Sequence, residues 1–154
     1  MQLLGYTDSD WAGSVADIKR TSKCCFSLVS GMISWYCRKQ TSVALSMAEA
    51  KHIAACGASK EAVWLWKMLA GLFDQELDVT LIHCDSQNCI KLSENPLDHD
   101  RSKHIDIKYH YIRDMVQKGV VKLQYISTDE QTTNILTKPL SKTKLSTFGT
   151  SLVW

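Results

Sequence analysis

Apolar and polar positions along the chain fall into blocks with two different periods, and those blocks predict the elements. Leu3 to Thr7 is a short apolar run that meets a pair of acids, Asp8 and Asp10, in "MQLLGYTDSDWAG", and it reads as a first strand. "KCCFSLVSGMISWYCRKQ" alternates in places and is split by Ser30-Gly31, so it reads as a hairpin of two strands. Ser46 with Glu49 three residues later forms a capping box, which opens a long helix reaching about Leu69. Ala50, Ile53, Ala54, Gly57, Trp64, Leu65 and Met68 fall on one face of that helix, interrupted only by Glu61. "DVTLIHCD" is a continuous apolar run of the kind buried on both faces, a fourth strand. "SQNCIKLSEN" is a short helix closed by Asn95-Pro96. "SKHIDIKYHYIRDMVQKG" is another, ending at Gly119 as a C-cap. "VVKLQYIS" makes a fifth strand, and "TDEQTTNILTK" a last helix stopped by Pro139.

The order βββαβααβα begins with antiparallel strands and continues with strands joined through helices. It implies an α/β fold, a five-stranded mixed sheet flanked by helices. At 154 residues the chain has the size of one domain with a sizeable core. There is no internal repeat, linker or low-complexity stretch. The segment from Ser141 is a tail whose Leu145, Phe148 and Leu152 can still dock. No run of about 18 apolar residues occurs, so no membrane partner is expected, and the start lacks the order of a signal peptide. A net charge of +2 is too mild to demand a nucleic-acid partner, so any basic patch has to be local. Cysteines 24, 25, 37, 56, 84 and 89 form no C-x-x-C pair and no zinc spacing with histidine. They read as reduced, mostly buried thiols of an intracellular protein, cytoplasmic or nuclear.

The acids are where chemistry enters. Asp8 ends the first predicted strand, Asp85 ends the fourth, and Glu49 sits in the first turn of the long helix. Sites in α/β sheets form beyond the carboxyl ends of the strands. If these two strands are adjacent and parallel, Asp8 and Asp85 are neighbours whose repulsion a cation relieves. Oxygen ligands without Cys or His suit magnesium or manganese. The plainer reading makes each aspartate a turn or cap residue and Glu49 the capping partner of Ser46. Asp10 is the second choice of ligand on the first strand.

The motifs "YTDSDWAG", "ISWYCRKQTSVALSMAEAKHIAA", "IHCDSQNCIKL", "SKHIDIKYHYIRD" and "ILTKPL" resemble, in order and spacing, the ribonuclease H domain of copia-type LTR retrotransposon Pol polyproteins. The match runs from about Leu4 to Leu140. It implies a ribonuclease H-like fold over residues 1–140, with residues 141–154 as a C-terminal tail. Residue by residue, Asp8 in "YTD", Glu49 in "MAEAKH" and Asp85 in "HCDSQ" take the family's metal-binding acidic positions. The fourth acidic position, in the last helix, is Asn134 here, in "TNILTKPL". The second glutamate and the tyrosine of the family's E-A-E-Y motif are Lys51 and His52 here.

The resemblance implies endonucleolytic cleavage of the RNA strand of RNA–DNA hybrids with two magnesium (or manganese) ions roughly 4 Å apart. The three carboxylates of Asp8, Glu49 and Asp85 are expected to converge on one small volume, with Asn134 at the second ion. Ser9, Gln87 and Asn88 are candidates for reading the RNA 2′-hydroxyls. Lys103, Lys108 and Arg113 lie in a helix that is either a solvated basic face or a phosphate-tracking surface. In the same helix Asp106 and His110 read as surface chemistry, and Trp11 follows the acid-bearing stretch. The implied neighbour in a polyprotein is a reverse transcriptase domain N-terminal to this one. The rival reading, supported by Asn134 and Lys51, is a relic or repurposed domain that binds nucleic acid or a protein without cleaving.

Overall fold

The computed structural model describes residues 2–11, 20–29, 31–41, 43–44, 46–94 and 103–130. Five strands, β1 (Leu3–Trp11), β2 (Arg20–Leu28), β3 (Gly31–Lys39), β4 (Thr80–Cys84) and β5 (Val121–Tyr125), form one sheet in the order β3-β2-β1-β4-β5. The pairs β1–β2 and β2–β3 are antiparallel, and β1–β4 and β4–β5 are parallel. This is the mixed sheet that the element order predicts.

β1 does not stop at Thr7. Its antiparallel partner accompanies it from Leu3↔Leu28 to Trp11↔Arg20, while β4 leaves it at Thr7↔Cys84. Backbone pairing with β2 thus carries the strand past the point where its apolar pattern ends. Asp8 and Asp10 lie within it, not beyond it.

Helix α1 (Met47–Phe73) starts as its cap predicts: Ser46 Oγ accepts the Glu49 backbone N–H at 3.1 Å. It runs past Leu69 and ends where Asp74 takes left-handed backbone angles, φ 51° and ψ 41°. Its apolar face also differs from the predicted one. Ala50, Ile53, Ala54, Ala55, Cys56 and Ala58 are all buried, because small side chains let α1 pack closely on β1, β2 and the helices beside it. Farther along Ser59, Ala62, Leu65 and Leu69 are buried and Trp66 packs against the core, whereas Trp64 is 57% and Met68 38% exposed. Glu61, which breaks the predicted face, accepts a hydrogen bond from Ser34 Oγ at 2.9 Å.

β4 is buried on one face only: Thr80, Ile82 and Cys84 are covered, and Leu81 and His83 are half-buried. The His83 ring stacks on Tyr6 at 4.8 Å. Helices α2 (Gln87–Glu94) and α3 (Lys103–Gln117) follow. Gly119 takes φ 71°, a conformation glycine adopts without penalty. Its N–H donates to Val116 O, and that of Val120 to Met115 O, closing α3 as its C-cap predicts. A short 3-10 turn, Thr128–Glu130, begins the stretch read as the last helix. The rest of that helix, Asn134, Pro139 and the tail from Ser141 lie outside the described residues. No helix among the described residues is long and apolar enough to cross a membrane.

All six cysteines are free; five are buried and Cys37 is exposed. Burial pushes the Cys25 thiol up to about 12 and that of Cys24 further still. Since the thiolate is the nucleophile, one thiol should label promptly with a disulfide reagent in the native state and all six in denaturant. Prompt native labelling of two or more would contradict this packing.

Candidate active site

The site follows from the register of two strands. Thr7 and Cys84 are the last parallel pair of β1 and β4, so the next residues, Asp8 within β1 and Asp85 just past β4, come side by side where that pairing ends. Their side chains are 3% and 1% exposed. Buried carboxylates this close repel unless something positive lies between them.

That positive group belongs to the protein. Lys51 Nζ, on the second turn of α1, lies 2.7 Å from Asp85 Oδ1 and 3.6 Å from Asp8 Oδ1. A second ammonium comes across the sheet: Lys23 on β2 stands opposite Asp8 in register, fully buried, its Nζ 3.5 Å from Asp8 Oδ2. The Ser9 backbone N–H donates to Asp8 Oδ1 at 2.8 Å. Burial raises the Asp8 pKa above the ordinary carboxylate value and the Asp85 charge adds to this, against the opposing pull of Lys23, Lys51 and the Ser9 N–H. Asp8 is thus ion-paired and still harder to ionise than an exposed aspartate, because desolvation outweighs its partners. For Lys51 the balance falls the other way. Burial pulls its pKa down, but the hydrogen bond to Asp85 and the charges of both aspartates prevail and hold it above the usual value.

Glu49 is buried in the first turn of α1, two residues before Lys51. The expected convergence of three carboxylates is not what the fold builds. Among the described residues no three His, Cys, Asp or Glu side chains are grouped closely enough to hold an ion. The aspartate pair gathers round an ammonium instead. Gln40, also buried, ties the surroundings together: its Nε2 lies 2.9 Å from Ser22 Oγ, 3.0 Å from Ala50 O and 3.3 Å from Ser9 Oγ.

Ser9 is therefore buried against Gln40 rather than displayed. Gln87 and Asn88 are exposed in the first turn of α2, just beyond Asp85. On α3, Arg113 is half-exposed, with Nη2 2.8 Å from His110 Nδ1. The side chains of Lys103, Asp106 and Lys108 on α3, and of Asp10 and Trp11 on β1, lie outside the described residues. Sequence reasoning missed Lys23 and Gln40. The available signal for Lys23 was a lone charge at the head of the apolar run "KCCFSL", which demands a buried partner.

Two oxygen donors turned toward one cation are a hard-ligand set of the kind magnesium and manganese prefer. The Lys51 ammonium stands in that place, so the pair accepts a positive charge there.

No known family profile matches the chain. The Pol polyprotein of transposon TNT 1-94 from Nicotiana tabacum is 42% identical over 144 residues, covering 92% of this chain and 11% of that protein. The Pol polyprotein of transposon RE1 from Arabidopsis thaliana is 36% identical over 152 residues, 99% of this chain and 10% of that protein. The chain thus spans about a tenth of the length of these curated relatives. Among solved structures, the N-terminal RNase H domain of rv2228c from Mycobacterium tuberculosis aligns over 97% of both chains, with a TM-score of 0.62 and 8% identity. The foamy viral protease-reverse transcriptase in complex with an RNA/DNA hybrid aligns over 95% of this chain and 20% of its own, with a TM-score of 0.56 and 13% identity. These identities speak for the fold alone. Likeness along nearly the whole chain to retrotransposon Pol polyproteins joins a sheet and helix arrangement shared with ribonucleases H: the chain has a ribonuclease H-like fold and is similar in sequence to copia-type retrotransposon Pol polyproteins.

Proposed function

We propose that the domain cleaves the RNA strand of RNA–DNA hybrids, and that it does so as part of a longer polyprotein with a reverse transcriptase domain N-terminal to it. The observation that carries this reading is the meeting of Asp8 and Asp85 on a single cation where the parallel pairing of β1 and β4 ends. These two aspartates would hold divalent metal, magnesium or manganese, with two ions expected in all. Glu49, which is not grouped with the pair among the described residues, would have to approach it to add a carboxylate from α1, and Asn134 would add a neutral carbonyl oxygen at the second ion. What bound metal supplies is an activated water and charge neutralisation at the scissile phosphate. The chain's own residues do the positioning: the Ser9 N–H holds Asp8 Oδ1, and Gln40 locks β1, β2 and the start of α1. Gln87 and Asn88, exposed at the start of α2 just after Asp85 in the chain, would meet 2′-hydroxyls. Lys103, Lys108 and Arg113 would track phosphates along α3.

A second reading is favoured by Lys51 within the acid pair: a domain that binds hybrid without cutting it. Single-turnover cleavage of an RNA–DNA hybrid, in magnesium and in manganese, separates the two. Weak cleavage preferring manganese is expected. Asn134→Asp, which restores an acid, should raise the rate about 10-fold, or about 1.4 kcal/mol of transition-state stabilisation. Hybrid affinity should barely change, because phosphate contacts dominate it. Hybrid bound but left intact by both proteins in both metals would establish the binding-only reading.

A further inference from the structure

We infer that Lys51 is a resident counter-ion of the aspartate pair, which a divalent ion must displace before Asp8 and Asp85 can hold it. The inference rests on the reading of those two aspartates as metal-binding acids. Three observations carry it. The Lys51 ammonium faces the Oδ1 atoms of both aspartates, 2.7 Å and 3.6 Å away, so it fills the position an ion shared by them would take. Lys23 faces the remaining Asp8 oxygen, Oδ2, so two carboxylates are balanced by two ammonium groups with no metal. Lys51 is also the most exposed member of the group: its side chain is 15% exposed, against 3%, 1% and 0% for Asp8, Asp85 and Lys23.

Like charges cannot occupy one small volume of low polarity, so ammonium and metal exclude each other there. Exchange remains open because a lysine is a point charge on a flexible four-carbon stem, which can swing its head into water. Lys23, fully buried, lacks that freedom. Lys51 is therefore a gate on metal occupancy rather than a ligand, and its charge sets how much metal the site needs.

Manganese binding to the whole domain, followed by electron paramagnetic resonance and by calorimetry, tests this without reference to cleavage. Lys51→Met keeps the stem and removes the charge, and should bind manganese about 10-fold more tightly or better. Lys51→Arg keeps the charge and should stay close to wild type. Adding Asp85→Asn to Lys51→Met should abolish the gain. Wild type and Lys51→Met binding equally, both losing the ion with Asp85→Asn, would overturn the role of Lys51 and leave the metal site standing. No Asp85-dependent binding in any variant would overturn both. A second measurement needs no substitution. Acetylation of Lys51 in the wild-type protein, read by mass spectrometry, should quicken as manganese rises and drives the ammonium into solvent. A labelling rate unchanged at manganese concentrations that saturate the protein would overturn the displacement.

Discussion

Lys23→Met should destabilise the fold by about 3 kcal/mol, seen as a lower midpoint in urea with an unchanged slope. Lys23 is fully buried and its ammonium faces Asp8 Oδ2 at 3.5 Å. Methionine fills similar space and removes the charge, so the effect is the loss of compensation for a buried carboxylate, not a cavity. Lys51, 3.6 Å from the other oxygen, remains and keeps the effect near the lower end of what breaking a buried pair costs. The pH dependence gives a signature. The Asp8 pKa is raised above 3.8 in the folded protein, so the native state holds that proton more tightly than the unfolded chain. Stability from this group is therefore greatest at acid pH and falls as pH rises through the raised value. Removing Lys23 raises that pKa further. The deficit of Lys23→Met should thus be small where Asp8 is protonated in both states and grow towards neutral pH. Adding Asp8→Asn should recover part of the loss. A variant within about 0.5 kcal/mol of wild type at neutral pH would show that the pair contributes nothing beyond an ordinary surface change.

Asp85→Asn should lower the single-turnover cleavage rate at least about 100-fold, equivalent to about 2.7 kcal/mol, while hybrid affinity stays close to wild type. Asp85 is one of the two acids that meet on one cation, and its side chain is 1% exposed. Asparagine keeps its shape and one carbonyl oxygen but not the charge that, on the proposed function, would hold metal against water. The fold should tolerate the change better than it tolerates Lys23→Met. The abandoned partner, Lys51, is 15% exposed and has a long stem with which to reach solvent. Equal cleavage by Asp85→Asn and wild type would remove Asp85 from the chemistry and the aspartate pair from the active site.

The local features of this protein were legible in its sequence because local chemistry produces them. Ser46 with Glu49 set the start of α1, and Gly119 set the end of α3, through hydrogen bonds spanning a few residues. Alternation and apolar runs gave the five strands in their order, and the positions of Asp8, Asp85 and Glu49 near the ends of the predicted elements pointed to a site. Tertiary structure decided what depends on a partner distant along the chain. β1 continues through Asp8 and Asp10 because β2 supplies backbone hydrogen bonds that no pattern within β1 reveals. Trp64 and Met68 fit a helical stripe and yet face solvent, since Ala62, Leu65 and Leu69 are the residues buried in the core on that part of α1, with Trp66 packed against it. The same reason governs the charges. Lys23 meets Asp8 through antiparallel register, and Lys51 meets Asp8 and Asp85 only when α1 packs where the parallel pairing of β1 and β4 ends. A residue's charge is a property of the sequence, but its counter-ion is set by packing, and burial of both makes that pairing decisive here.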